Sequence, residues 1–212
     1  MPYRSHNIST ELKRHPTKRP PTLEEGNLVN VMVHNSGAEN DIFTDAAWHV
    51  DGNDWWGVAY YKSIDYDGTV YVCRKRTEQG WHCRGGGMNW TALPICLRGN
   101  LELHPPTEDQ VESLISEIVK ENAELGRRLN IVWHNDYQET LCPGKFMPRD
   151  EIERRVNEYY TAPVPDVPEP ELEPQPQPEE VPPAFDIPRS DDSWAMGTIA
   201  VILAIIALLL AL

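Results

Sequence analysis

At 212 residues and 40% hydrophobic, the chain can bury one sizeable core and hardly two. Its net charge of -14 is unevenly spread: residues 1–20 carry five basic and one acidic side chain, residues 21–159 carry 13 and 23, and the rest carries one and nine. A nucleic-acid groove needs clustered Lys and Arg on the folded body, so no nucleic-acid partner is expected, and the acidic excess serves solubility.

Residues 1–24 read as a basic N-terminal arm, with Lys18-Arg19-Pro20-Pro21 entering the domain in extended form. The arm has no apolar h-region, so a secretory signal is not expected there. Residues 28–34 form the first predicted strand, and their near-continuous apolar character suits a central strand covered on both faces. Thr44 can cap a short helix running through Val50 that carries Trp48 and His49, with His49 expected at the surface or behind a site rather than as a ligand. Residues 60–64 and 70–73 flank Tyr66-Asp67-Gly68-Thr69 as a hairpin by turn chemistry. The loop over residues 80–89 contains Gly85-Gly86-Gly87, whose backbone can approach a ligand closely. Trp81 and Trp90 border it and either offer flat faces to a sugar or peptide stem or roof the core. Residues 93–97 are a further strand.

Thr107-Glu108-Asp109-Gln110 is a capping box, and Val111, Leu114, Ile115, Ile118, Val119 and Leu125 follow at helical spacing until Gly126. Residues 129–134 give another strand, and residues 148–160 a last amphipathic helix with Pro148 at its start and Ile152, Val156 and Tyr159 inward. Strands interleaved with helices predict an α/β fold, a single domain over residues 25–160 with a mixed central β-sheet flanked by helices. Cys73, Cys83, Cys96 and Cys142 form no C-x-x-C pair, and free thiols are expected.

Chemistry concentrates in residues 132–144. A strand end delivers His134, and Cys142 follows eight positions later, just before the turn pair Pro143-Gly144. His34 ends the other apolar run in the same position. Two neighbouring strands ending in His, plus one loop Cys, would hold zinc on three protein ligands with the fourth position open, the pattern of catalytic rather than structural zinc. By spacing alone, two ordinary strand-end histidines and a buried thiol fit equally well.

Four ordered segments carry a resemblance. Val33-His34-Asn35-Ser36-Gly37, then Ala59 to Ile64 with Asp67-Gly68-Thr69-Val70, then His82 to Asn89, then His134 to Gly144, resemble the motifs of zinc-dependent N-acetylmuramoyl-L-alanine amidases, nearest to phage lysozyme-type amidases and peptidoglycan recognition proteins. The resemblance implies Zn2+ on His34, His134 and Cys142, catalytic assistance from Tyr60 and Thr140, and peptidoglycan as the partner of a monomer. The substrate is expected against Trp81, His82, Asn89 and Trp90. Cys96 stands where some relatives place a glutamate base, and Trp133 and Tyr61 are further departures that touch the pocket wall. The implied activity is hydrolysis of the amide between N-acetylmuramic acid and L-alanine, as in a phage-type lysin. A non-catalytic peptidoglycan-binding module is the alternative, and the presence of Cys142 favours the enzyme.

Residues 161–193 hold ten prolines and nine acidic groups and predict an extended Pro/Glu-rich linker. Residues 194–212 carry no charge, and at about 1.5 Å per residue they span roughly 28 Å, close to a bilayer core of about 30 Å. A C-terminal transmembrane helix is therefore expected, making a single-pass membrane protein anchored in a host inner membrane or a virion membrane and acting on the bacterial wall.

Overall fold

The apolar runs of the sequence become the middle of a sheet. In a computed structural model that describes residues 4–160, six strands pair in the order β1-β4-β3-β5-β2-β6. They are β1 (Ser5–Asn7), β2 (Asn30–Asn35), β3 (Lys62–Ile64), β4 (Val70–Val72), β5 (Ala92–Leu97) and β6 (Asn130–Trp133). Only the β3–β4 hairpin pairs antiparallel among them, so the sheet is mixed. Every residue of β2 and of β5 is buried, as expected of strands covered on both faces. The expected linker over 161–193 and membrane helix over 194–212 lie outside the described residues.

Alternation along the strands sorts side chains between two layers. Val31 and Val33 of β2 and Leu93, Ile95 and Leu97 of β5 join one core with Val111, Leu114, Ile115 and Ile118 of α3 (Glu108–Glu124) and Ile152 and Val156 of α5 (Arg149–Glu158). Met32, Ala92 and Val132 point to the opposite face, against Cys83 and Met88, the latter on the short α2 (Met88–Thr91). His34 follows Met32 by two and His134 follows Val132 by two, which directs both histidines to this second face.

Helix ends match the sequence in one case and shift in two. Thr107 and Gln110 form the capping box of α3 reciprocally, and Gly126 just past its end takes φ 65°. α1 (Ile42–Asp51) is capped by Asp41 rather than Thr44: the Asp41 carboxylate accepts the Thr44 N–H at 2.7 Å, so Ile42 and Phe43 are already helical. In α5 Ile152 and Val156 face the core, but Tyr159 is 61% exposed and Tyr160 takes the inner place, its hydroxyl accepting from Asn122 Nδ2 at 2.8 Å.

Residues read from the sequence as an arm are built into the domain. Ser5–Asn7 pairs parallel with β4, while Ile8 and Leu12 bury with Ile42, Ala46, Val58 and Cys73. All four cysteines are free, with Cys73 and Cys83 in different core clusters. Among the described residues no helix is long and apolar enough to cross a membrane.

Candidate metal centre

Parallel pairing of β2 with β6 places Val33 opposite Trp133, so the residues that follow, His34 and His134, emerge side by side. Their ring centroids are 4.4 Å apart. His134 opens the short α4 (His134–Tyr137), and the loop after it returns Cys142 to within 3.6 Å of His34 Nδ1, sulfur to nitrogen. One ligand atom from each of His34, His134 and Cys142 lies within 4.8 Å of the other two. The Cys142 amide donates to Thr140 Oγ1 at 3.2 Å, and its sulfur accepts the Asn35 N–H at 3.3 Å, which fixes the thiol from both sides.

Electrostatics leave this centre neutral and electron-rich. Burial holds His34 well below the usual histidine range, with His82 and His134 adding to the shift, and burial lowers His134 as well. Burial pushes the Cys142 thiol up to about 12. Both ring nitrogens of His134 are buried without a hydrogen-bond partner. One of the two is the bare nitrogen of a neutral ring, and that orphaned acceptor beside a second imidazole and a polarisable thiol fits a borderline-soft divalent cation, which would satisfy it and displace the thiol proton.

Around the triad, some expected site residues face it and others do not. Tyr60 does: its ring lies 5.6 Å from that of His34. Burial, with the Cys96 and Cys142 sulfurs nearby, raises its hydroxyl well above the ordinary tyrosine range, so it stays a donor. Cys96 is the strand neighbour of His34 and fully buried. Thr140 lines a cleft of ≈ 760 Å³ that also takes in Asn135, Leu141 and Arg149.

The four residues expected against substrate are placed differently from one another. Trp81 is 47% exposed and presents its ring to solvent. Trp90 packs against the main core, the roofing position left open by the sequence. Asn89 Oδ1 accepts the backbone N–H groups of both His82 and Cys83 at 2.9 Å, and His82 is buried with its ring 5.2 Å from that of His34. Two of the three glycines between them meet α4, while Gly87 faces open space: a Cβ on Gly85 would lie 1.8 Å from the Tyr137 carbonyl oxygen and one on Gly86 2.8 Å from the Tyr137 ring. That approach, with Gln138 Oε1 accepting the Arg84 N–H at 2.9 Å, clamps the loop against the segment that carries His134.

His49 takes the second of the two places the sequence allowed it, behind the site rather than at the surface. It is buried, stacks on Trp55 at 5.0 Å and meets Tyr60 edge-on at 5.6 Å, with Nδ1 unpartnered. Burial lowers it to about 4, so it backs Tyr60 as a neutral ring. Its place in the last turn of α1, one residue after the exposed Trp48, is the available signal in the sequence.

Comparison with known proteins places the chain in a family and supports the fold. A family profile described as N-acetylmuramoyl-L-alanine amidase matches residues 25–145. Mouse peptidoglycan recognition protein 3 is 27% identical over 129 residues, covering 54% of this chain and 35% of the mouse protein, so the chain spans about a third of that relative. The solved amidase LysC from Clostridium intestinale superposes with a TM-score of 0.58 at 24% identity, covering 73% of this chain and 97% of LysC. Peptidoglycan recognition protein LE, solved with the peptidoglycan fragment tracheal cytotoxin, gives a TM-score of 0.61 at 19% identity over 68% of this chain and 90% of its own.

Proposed function

Because the chain belongs to the N-acetylmuramoyl-L-alanine amidase family, we propose that it is a zinc hydrolase cleaving the amide between N-acetylmuramic acid and L-alanine in peptidoglycan, as a phage-type lysin tethered to a membrane by residues 194–212. The observation that carries this reading is the convergence of His34, His134 and Cys142, with both His134 nitrogens unpartnered, on the face where Tyr60 stands.

Hydrolysis joins a water oxygen to the carbonyl carbon of the muramic acid lactyl group, and the C–N bond breaks as the alanine nitrogen leaves with a proton. Zn2+ held by the triad would supply Lewis acidity at the carbonyl and a lowered pKa for water. Tyr60, kept protonated by burial, donates to the carbonyl oxygen as negative charge develops there. Thr140 accepts from the Cys142 amide, which leaves its own O–H able to turn to substrate or water. His34 and His134 stay unprotonated because they are buried, which keeps their lone pairs available. Trp81 offers the exposed aromatic face on which a sugar ring can lie.

The second reading, binding without cleavage, has in its favour a solved relative of this fold that holds a peptidoglycan fragment. Incubating the full-length chain with purified peptidoglycan decides between them. New L-alanine amino termini without new reducing ends, lost on adding a chelator and in Cys142→Ser, are the expected result. Retention on the wall with no new amino termini would establish the binding module and remove the hydrolase.

A further inference from the structure

We propose that His82 is a positioning residue for the metal centre, holding the His34 ring in the tautomer that turns a bare Nδ1 toward Cys142, and that Asn89 in turn holds His82. This rests on the reading of His34, His134 and Cys142 as a zinc site. It departs from the sequence expectation that His82 and Asn89 contact substrate.

The two nitrogens of His34 have different neighbours. Nδ1 lies 3.6 Å from Cys142 Sγ, on the triad side, and Nε2 lies 3.1 Å from His82 Nδ1. A neutral imidazole has one N–H donor and one acceptor nitrogen. If Nδ1 is to offer its lone pair to a cation, the ring proton must sit on Nε2, where it needs an acceptor. His82 Nδ1 is that acceptor, reached edge-on with the rings at 90°. The pair is then ordered: His34 Nε2–H donates, His82 Nδ1 accepts, and His82 carries its own proton on Nε2. In the opposite order His34 Nδ1 is protonated and closed to a metal. His82 Nε2 makes no hydrogen bond of ordinary length, so the choice falls to the other side of His34, where the Cys142 thiol, 3.6 Å from Nδ1, can donate to a bare nitrogen with or without a cation.

Ligand histidines are usually fixed through their second nitrogen by a carboxylate, a backbone carbonyl or water. A neutral histidine takes that place here, and its own position is set from behind. Asn89 Oδ1 receives the N–H groups of His82 and Cys83 at 2.9 Å each, closing the loop on itself. At 7% exposure the His82 ring is turned inward rather than to the cleft surface.

The test uses the full-length chain with His82→Leu, which fills the space without an acceptor, and His82→Gln, whose amide oxygen can accept from His34 Nε2–H. Zinc affinity is measured by competition with a chromophoric chelator, and the His34 tautomer by long-range 1H–15N NMR on the metal-free and zinc-loaded wild type. His82→Leu should weaken zinc about ten- to a hundred-fold, with most of the loss recovered in His82→Gln, and metal-free wild type should already carry the His34 proton on Nε2. A wild type that binds no stoichiometric zinc would sink the metal reading itself. With zinc binding intact, the positioning role alone falls if His82→Leu holds zinc as tightly as wild type, or if metal-free His34 carries its proton on Nδ1. Unchanged zinc affinity with lost retention on peptidoglycan would return His82 to substrate contact.

Discussion

At the scale of single residues, the proposed chemistry turns on two protons with opposite assignments. Tyr60 must keep its proton to serve as an oxyanion donor, and burial beside two sulfurs ensures that it does. Tyr60→Phe keeps the ring against His34 and His49 and deletes the donor, so kcat should fall about ten- to a thousand-fold with KM little changed, equivalent to roughly 2 to 4 kcal/mol of transition-state stabilisation. Equal turnover by the two forms would exclude Tyr60 from the reaction. Cys142 must lose its proton to hold a cation, and burial sets its metal-free value at about 12. Since burial lowers both histidines, zinc binding at neutral pH and just above should release one proton, from the thiol, and log affinity should rise there by about one per pH unit. Cys142→Ser should bind more weakly with a slope near zero; a flat profile in wild type would mean that the thiol is not a ligand. The convergence of His34, His134 and Cys142 was legible mainly through the four ordered segments that resemble the amidase motifs, since two apolar runs ending in His and a turn pair after the Cys left it open. The fates of His82, Asn89 and Trp90 were not, because which side of a glycine loop faces inward is decided by its contact with α4, 48 or more residues further along the chain.

At the scale of elements, α3 shows where patterning is sufficient and where it fails. Its capping box and its apolar stripe of Val111, Leu114, Ile115 and Ile118 were readable from spacing alone, and all four face the core. Glu117 and Glu121 on the same helix are fully buried as well, both paired with the buried Lys62 of β3, while Arg76 Nε donates to Glu121 at 2.8 Å. Polar residues on an amphipathic helix read as solvent-facing, and nothing local to α3 announces a lysine arriving from a strand some 55 residues earlier. β1 escaped notice for a related reason: Ser5-His6-Asn7 has no apolar alternation, and only β4 makes it a strand. The ion cluster has a consequence for stability. Glu121 pairs with Lys62 and Arg76 and Glu117 with Lys62, with Glu117 Oε1 unpartnered; burial, helped by the neighbouring Glu121 and Glu124 and opposed by the charge of Lys120, lifts Glu117 to about 7. A carboxyl with a raised folded-state value binds its proton more tightly folded than unfolded. Stability from this group is therefore greatest at low pH and declines as pH rises from about 4.5 to about 7, by up to about 3 kcal/mol. Glu117→Gln should flatten that part of the curve of Tm against pH; an unaltered slope would show that Glu117 is ionised and fully paired with Lys62 throughout.

At the scale of the whole molecule, the chain joins a folded amidase-family domain to a stretch of very different composition. Residues 161–193 carry nine acidic groups and ten prolines, the composition on which the proposed tether rests. Residues 194–212 carry no charge and open with Trp194, a residue favoured at membrane interfaces. As part of the proposed function, the apolar segment anchors the protein in a membrane while the acidic linker gives the domain enough reach to search the wall. The domain's own surface gives little reason to bind a bilayer, since residues 21–159 carry 23 acidic against 13 basic side chains. Membrane association should therefore depend on the tail alone. Carbonate extraction of membranes holding the full-length chain, compared with a chain ending at Asp192, measures this: full-length protein in the pellet and the shortened form in the supernatant is the expected outcome. If both forms are extracted, residues 194–212 serve packing or self-association and the tether is dropped. If both stay in the pellet, the folded domain itself binds membrane and the acidic surface has been misjudged. Neither result touches cleavage of the wall, because His34, His134, Cys142 and Tyr60 all lie within the domain that the shortened chain retains.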